Sequence, residues 1–237
     1  MKHFKIVSIA FIALFFTNVI NAQTVDEVIN KHIEAIGGKE NWKKLNSIKM
    51  EANINVQGND IPVVIYQVHN KATKSEINFQ GTVNYNIVTK EGGWKFFPIM
   101  GQASPEPMTE DELKTGQDQL DIQGDFLDYA TKGNKVELIG KESVDGTDAF
   151  KIRLTRKNAS EVVYLIDSKT NYIIRAISKV KANGQEVEQT AIFSNYQKLP
   201  EGIVIPFTME GMGPAPIVIS KVEVNPVIDD AIFKVTQ

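Results

Sequence analysis

The feature that most limits the fold is an alternation of apolar and polar residues, which begins near residue 50 and continues, with breaks, almost to the end of the chain. In residues 50–56, Met, Ala, Ile and Val occupy every second position and Glu and Asn fill the others. Because successive side chains of a strand point to opposite faces, this pattern is typical of a strand with one buried face. Roughly ten or eleven such runs, separated by turns such as Gly58-Asn59-Asp60 and one at Gly184, predict a large antiparallel sheet or barrel.

Two helices are predicted before this series of strands. Thr24 followed three residues later by Glu27 forms a capping box, and apolar residues then recur at helical spacing as far as Ile36. Gly37-Gly38 ends the helix, because glycine tolerates a positive φ. A second, short helix is expected over residues 39–45.

A mid-chain insertion, residues 98–133, interrupts the strands. It contains prolines and glycines that break a strand ladder, followed by a second capping box, Thr109 with Glu112. We expect a helix over residues 110–119 and a further helical turn at 126–131. Long connections of this kind often act as lids over a site.

The N-terminus has the pattern of a secretory signal peptide. Lys2 and Lys5 precede an apolar run over residues 6–16, and the small residue Ala22 marks the expected cleavage site. The run is shorter than the roughly 20 residues of a membrane-spanning helix. We therefore expect a signal peptide at 1–22, one mature domain at 23–237 and no stable membrane anchor. With no cysteine in the chain, disulfide-free export points to a bacterial periplasm.

Charge argues against two classes of partner. The formal net charge is −3, and removing the two lysines of the signal leaves 24 basic residues against 29 acidic ones, or −5. Nucleic acids and anionic membrane surfaces attract clustered lysine and arginine, which this sequence lacks. We expect no nucleic-acid partner.

The sequence offers little catalytic chemistry. His32 and His69 are expected at the surface, and no histidine spacing typical of zinc is present. There is no Gly-x-Ser-x-Gly nucleophile motif, and the acidic run at 110–112 is explained by the dipole of the predicted helix. Two carboxylates that meet only in the folded chain would leave an envelope hydrolase open. We otherwise expect a non-enzyme without cofactor or metal.

A sheet of this size must cover its apolar face. If the cover is partial or mobile, that face becomes a binding pocket, with the insertion supplying flexible apolar groups. The alternative is a filled core. The predicted ligand-binding residues are Ile54, Val56, Ile65, Phe79, Tyr85, Phe96, Met100, Met108, Phe150, Ile152, Leu154, Phe193 and Phe207.

The order of these parts resembles the LolA-like family of outer-membrane lipoprotein-sorting proteins. The resemblance lies in the opening segment 24–38, in the hairpin around Val163-Tyr164-Leu165-Ile166-Asp167 and in the closing Val222-Glu223-Val224-Asn225-Pro226. It implies an unclosed β half-barrel, mainly β with helices, that is covered by the N-terminal helix and a helical lid. It also implies an apolar cavity and, as cargo, acylated lipoproteins carried through the periplasm.

Together these observations predict a periplasmic carrier or sensor for an acylated lipoprotein or another apolar ligand. The alternative is a non-catalytic envelope module with a filled core, which binds a partner protein through a sheet edge or the insertion. The two differ in one structural property, namely whether the space inside the sheet is empty or filled.

Overall fold

The computed structural model of this chain describes residues 23–182, 185–213 and 215–235. The expected signal peptide, residues 1–22, and the turn expected at Gly184 lie outside these ranges. Within the described ranges, no helix has both the length and the apolar character needed to cross a membrane.

Helices form where the sequence supplies their end signals. α1 spans Val25–Ala35, α2 spans Lys39–Trp42 and α3 spans Glu110–Gln117. Both predicted capping boxes are present before α1 and α3, with the threonine hydroxyl 3.2 and 3.3 Å from the backbone nitrogen three residues later. Residues 126–131, predicted to form a helical turn, form a series of hydrogen-bonded turns instead. Short 3₁₀ segments occur at Pro98–Met100 and Asp230–Phe233.

Thirteen strands account for most of the described ranges. Their bounds are β1 Ser47–Val56, β2 Asn59–Val68, β3 Ala72–Phe79, β4 Thr82–Thr89, β5 Gly93–Phe96, β6 Glu106–Pro107, β7 Lys135–Val144, β8 Thr147–Thr155, β9 Glu161–Asp167, β10 Ile173–Ala182, β11 Gln185–Lys198, β12 Val204–Glu210 and β13 Ile217–Val224.

All thirteen strands belong to one antiparallel sheet that does not close. Its order is β6-β5-β4-β3-β2-β1-β13-β12-β11-β10-β9-β8-β7, so β1 pairs with β13 and every other neighbouring pair is consecutive in the chain. The chain leaves the sheet at one edge, β6, and returns through α3 and the following turns to the opposite edge, β7. The predicted half-barrel, covered by helices, is thereby confirmed.

The inner face of the sheet, on the side of α1 and α3, is filled at two places. α1 and the adjoining turn at Phe126-Leu127 cover β8 and β9, and the short segment 199–203 together with Leu45 covers β1, β12 and β13. The buried members of the first cluster are Val28, Ile29, Ile33, Phe126, Leu127, Phe150, Ile152, Leu154 and Ile166. Those of the second are Leu45, Ile48, Ala52, Ile54, Val63, Leu199, Ile203, Ile205, Phe207 and Ile219.

The opposite, outer face has a smaller apolar cluster on β3 and β4. The C-terminal 3₁₀ segment places Phe233 against Ala72, Tyr85 and Ile87, and Trp94 and Phe96 of β5 pack at its border. The end of the described chain therefore covers one patch of the outer face.

Two strands have no counterpart in the predicted series. β6 has only two residues, and one of them is a proline. β7 begins with alternating polar and apolar residues, but a bulge between Leu138 and Gly140 shifts its register against β8. Because the bulge adds one residue, the apolar positions after it no longer keep a period of two.

Candidate functional site

A cavity of about 560 Å³ lies between α3 and the inner face of the sheet. Strands from both halves of the half-barrel contribute to it, from β5 at one side to β10 at the other. Its apolar lining consists of Met50, Ile65, Val88, Met108, Val180, Met209, Met212 and Ile217. Four of the six methionines in the sequence therefore meet in this one space.

One end of α3 is fixed to β4 and β5. The backbone N–H of Met108 donates to the carbonyl of Gly93 at 2.9 Å, and the ammonium of Lys95 lies 2.7 Å from a carboxylate oxygen of Glu112. Further along α3, Gly116 allows a close approach to β4, because a Cβ built there would lie 2.7 Å from a methyl group of Val88. The helix thus packs against the sheet at this side although no residue of α3 is fully buried.

The other end of α3 is held by an ionic network. Asp118, which follows α3, accepts hydrogen bonds from the hydroxyl of Ser160 at 2.7 Å and from the guanidinium of Arg156 at 3.3 Å. Arg156 also donates two hydrogen bonds to Asp125, at 3.0 and 2.6 Å, and the hydroxyl of Tyr164 donates to the same carboxylate. Burial, together with the charge of Asp125, raises the pKa of Tyr164 well above its usual value, so the phenol stays a donor.

The space continues past α3 into a second cavity of about 430 Å³. The two cavities share Asp111, Thr115, Gln119, Val180 and Gln189. The second cavity is polar, with charges of both signs. Its charged lining residues are Asp111, Lys114, Asp118, Arg156, Glu161, Lys179 and Glu186. The apolar space therefore extends from α3 towards β1–β5, β12 and β13, and the mixed-charge space extends towards β9, β10 and β11.

Of the predicted ligand-binding residues, Ile65 and Met108 line the cavity. Five others lie in the filled parts of the inner face. Phe150, Ile152 and Leu154 are packed in the cluster beneath α1, and Ile54 and Phe207 are packed in the second cluster. Val56 borders that second cluster. The predicted alternative of a filled core thus describes part of the inner face.

The remaining predicted residues lie elsewhere. Tyr85 and Phe96 form a cross-strand pair on the outer face, with ring centroids 5.5 Å apart, so they lie on the opposite side of the sheet from this cavity. Met100 is 80% exposed, and Phe79 lines a separate pocket at the hairpin ends of β2 and β3. Phe193 is half-buried and pairs with Met209, which places it on the inner face.

Sequence reasoning missed most of the apolar wall, in particular Met50, Met209, Met212 and Ile217. The alternating pattern favours aromatic and β-branched residues as pocket residues. In the fold, most of the predicted ones belong to the apolar clusters on the two faces of the sheet. The sequence signal that could have identified the wall is the presence of methionine, instead of a β-branched residue, at apolar positions of the alternating runs of β1 and β12. Methionine is a flexible side chain that adapts to irregular space.

Contrary to the prediction, neither His32 nor His69 lies free at the surface. His32 is 4% exposed, and its Nδ1 lies 2.8 Å from the carbonyl oxygen of Asn171, so Nδ1 carries the proton and donates. Burial lowers the pKa of His32, with this hydrogen bond opposing the shift. His69 is half-buried, with Nδ1 3.5 Å from Asp121. In the described ranges, no group of three or more His, Asp or Glu residues is placed to hold a metal ion.

Comparison with known proteins supports the fold. No protein-family profile matches the sequence, and no curated protein matches it. A DUF1329 family protein from Desulfovibrio piger superposes with a TM-score of 0.55 at 19% identity, covering 90% of this chain and 98% of that one. A LolA superfamily protein from Nitrosomonas europaea gives 0.54 at 13% identity, covering 89% and 97%. This chain has a LolA-like fold.

A third structure has the same fold. It is a domain assigned to outer membrane lipoprotein sorting, from Vibrio parahaemolyticus, with a TM-score of 0.51 at 14% identity, covering 87% of this chain and 94% of that one. The similarity that the sequence motifs predicted is therefore confirmed for the LolA-like fold as a whole. At these identities the similarity establishes the architecture and not the function.

Proposed function

We propose that this protein is a carrier or sensor of the bacterial envelope that binds an acylated or otherwise apolar ligand, such as a lipoprotein, beneath α3. The observation that supports the proposal is the cavity of about 560 Å³ lined by four methionines. Its size falls within the range of roughly 300–1,000 Å³ that is typical of small-molecule sites.

The lining suits an acyl chain. Each methylene group removed from water contributes about 0.8 kcal/mol, so an acyl chain gains a large driving force from any sheltered apolar wall. Methionine side chains adjust to guests of different shape, whereas branched side chains keep a fixed surface. No covalent step is required for such a function, and we propose that the protein is not an enzyme.

The structural relatives support the same class of function. One is named as a member of the LolA superfamily and another is assigned to outer membrane lipoprotein sorting. Together with the signal-peptide pattern of residues 1–22, they support a periplasmic site of action, and we propose 23–237 as the mature domain and 98–133 as its lid.

A second candidate is a non-catalytic interaction module. It is favoured by the two filled clusters, which show that most of the inner face beneath α1 and around Leu45 has no room for a guest. In that case α3 or an edge strand would contact an envelope protein, and the cavity would contain only water.

A titration with a fluorescent acyl probe separates the two candidates. Met209→Asp places a charge in the cavity wall, whereas Val218→Asp places the same charge at a 45% exposed position on the adjacent strand, facing outwards. We expect saturable probe binding by the natural protein and by the Val218 variant, and binding at least about tenfold weaker in the Met209 variant, since an isolated charge in an apolar space is costly. No binding by the natural protein would contradict the carrier proposal.

A further inference from the structure

One cross-strand row on the inner face changes from polar to apolar as it crosses the cavity. Lys95 of β5 pairs with Asn86 of β4, Asn86 with Ser75 of β3, Ser75 with Ile65 of β2, and Ile65 with Met50 of β1. All five side chains line the same cavity. The register of the sheet therefore gives this space a polar wall and an apolar wall.

The uncharged side chains of the polar wall have no hydrogen-bond partners within the described part of the protein. Among the described residues, no side-chain hydrogen bond is formed by Gln67, Thr73, Ser75 or Asn86, although each is partly buried. Their polar atoms remain accessible to water, so a ligand can replace that water without breaking a contact within the protein. Four neighbouring side chains without a protein partner thus leave donors and acceptors that a ligand can satisfy.

The charges around the cavity limit the ligand headgroup. Three charged residues line it, namely Lys95, Asp111 and Glu112, which give a formal charge of −1. Glu112 already lies 2.7 Å from the ammonium of Lys95, so an anionic headgroup would gain little from that lysine. Because of the same ion pair, a cationic headgroup would gain little from Glu112 and would lie beside Lys95.

We infer that the ligand of this cavity is an amphiphile whose headgroup is uncharged and rich in hydroxyl or amide groups. The headgroup binds the polar wall, formed by Gln67, Thr73, Ser75 and Asn86. The acyl chain lies against the apolar wall, which contains the four methionines. This inference rests on the proposed function and adds to it a ligand class and an orientation.

Three probes with the same chain length test the headgroup. Monolauroyl glycerol, laurate and dodecyltrimethylammonium are titrated below their aggregation concentrations into the mature protein by calorimetry. We expect monolauroyl glycerol to bind about tenfold more tightly than either charged probe, the difference that one or two net hydrogen bonds provide. Equal affinities, or preference for a charged probe, would overturn the inference and leave the proposed function intact. If none of the three binds, both fail.

Variants of the polar wall test the orientation. Asn86→Leu and Ser75→Ala each remove groups that have no partner in the protein, so both should fold with unchanged stability. We expect each to reduce the preference for monolauroyl glycerol over laurate by about three- to tenfold. Asn53→Leu is the matched control, because Asn53 is exposed on the outer face of β1, and it should leave the preference unchanged. An unchanged preference in both wall variants would contradict the inference.

Discussion

Replacing Ile152 by alanine tests whether the inner face beneath α1 is filled. Ile152 is fully buried, pairs with Leu138 on one side and Tyr164 on the other, and belongs to the cluster that α1 covers. Removing three carbons costs about 2.4 kcal/mol of transfer free energy at roughly 0.8 kcal/mol for each. The remaining cavity adds to this, because a close-packed core relaxes only in part, so we expect a loss of about 3–4 kcal/mol in the free energy of unfolding.

Urea denaturation followed by tryptophan fluorescence measures this loss, since Trp42 borders both filled clusters. Ile65→Ala is the matched comparison. Ile65 is half-buried in the cavity wall, so its loss should cost roughly 1 kcal/mol in stability but weaken the binding of an acyl probe. Ile152→Ala should leave probe affinity unchanged. A cost below about 1 kcal/mol for Ile152→Ala, or an effect of that variant on affinity, would refute the division into a filled and an open part.

Three further predictions concern stability. The pKa of His32 is lowered in the folded state, so as the pH falls the unfolded chain takes up the His32 proton before the folded chain does. The contribution of His32 to the free energy of unfolding is therefore fully present above pH 6.5 and decreases below it. His32→Gln should remove this part of the pH dependence of the urea midpoint. Arg156→Met leaves the carboxylates of Asp118 and Asp125 without a cation. We expect it to lower the free energy of unfolding by about 3 kcal/mol in the same denaturation assay. A loss near zero would show that the network is solvated. Gly37→Ala should lower the melting temperature more than Gly58→Ala. Both have positive φ, but only the Cβ at 37 would meet a backbone oxygen, at 2.1 Å; equal losses would contradict this.

Much of the fold follows from local signals in the sequence. The two capping boxes define the starts of α1 and α3, and the period of two locates most strands, because each depends on neighbouring residues only. The bulge in β7 was not foreseen, since an extra residue in a strand is defined by its pairing partner. The pairing of β1 with β13, which joins the two halves of the sheet, is equally a property of the tertiary fold.

The candidate site was less predictable than the fold. Alternation shows that Tyr85 and Ile65 each have one buried side, but it does not show which face of the sheet is inner, and the C-terminal Phe233 provides a separate cover for Tyr85. Likewise, His32 looked polar and exposed on its helix, but the hairpin that follows β9 reaches it through the carbonyl of Asn171. Such contacts between distant segments are set by topology.

The most direct measurement of the central claim is a photo-crosslinking map. A lauroyl glycerol probe with a diazirine near the end of its chain is bound to the mature protein, irradiated, and the labelled peptides are identified by mass spectrometry. If the space beneath α3 is the binding site, labels fall on the peptides that contain Met50, Met209 and Ile217. Labels confined to the peptides of Phe150 and Ile152, or to the exposed Met100, would contradict it.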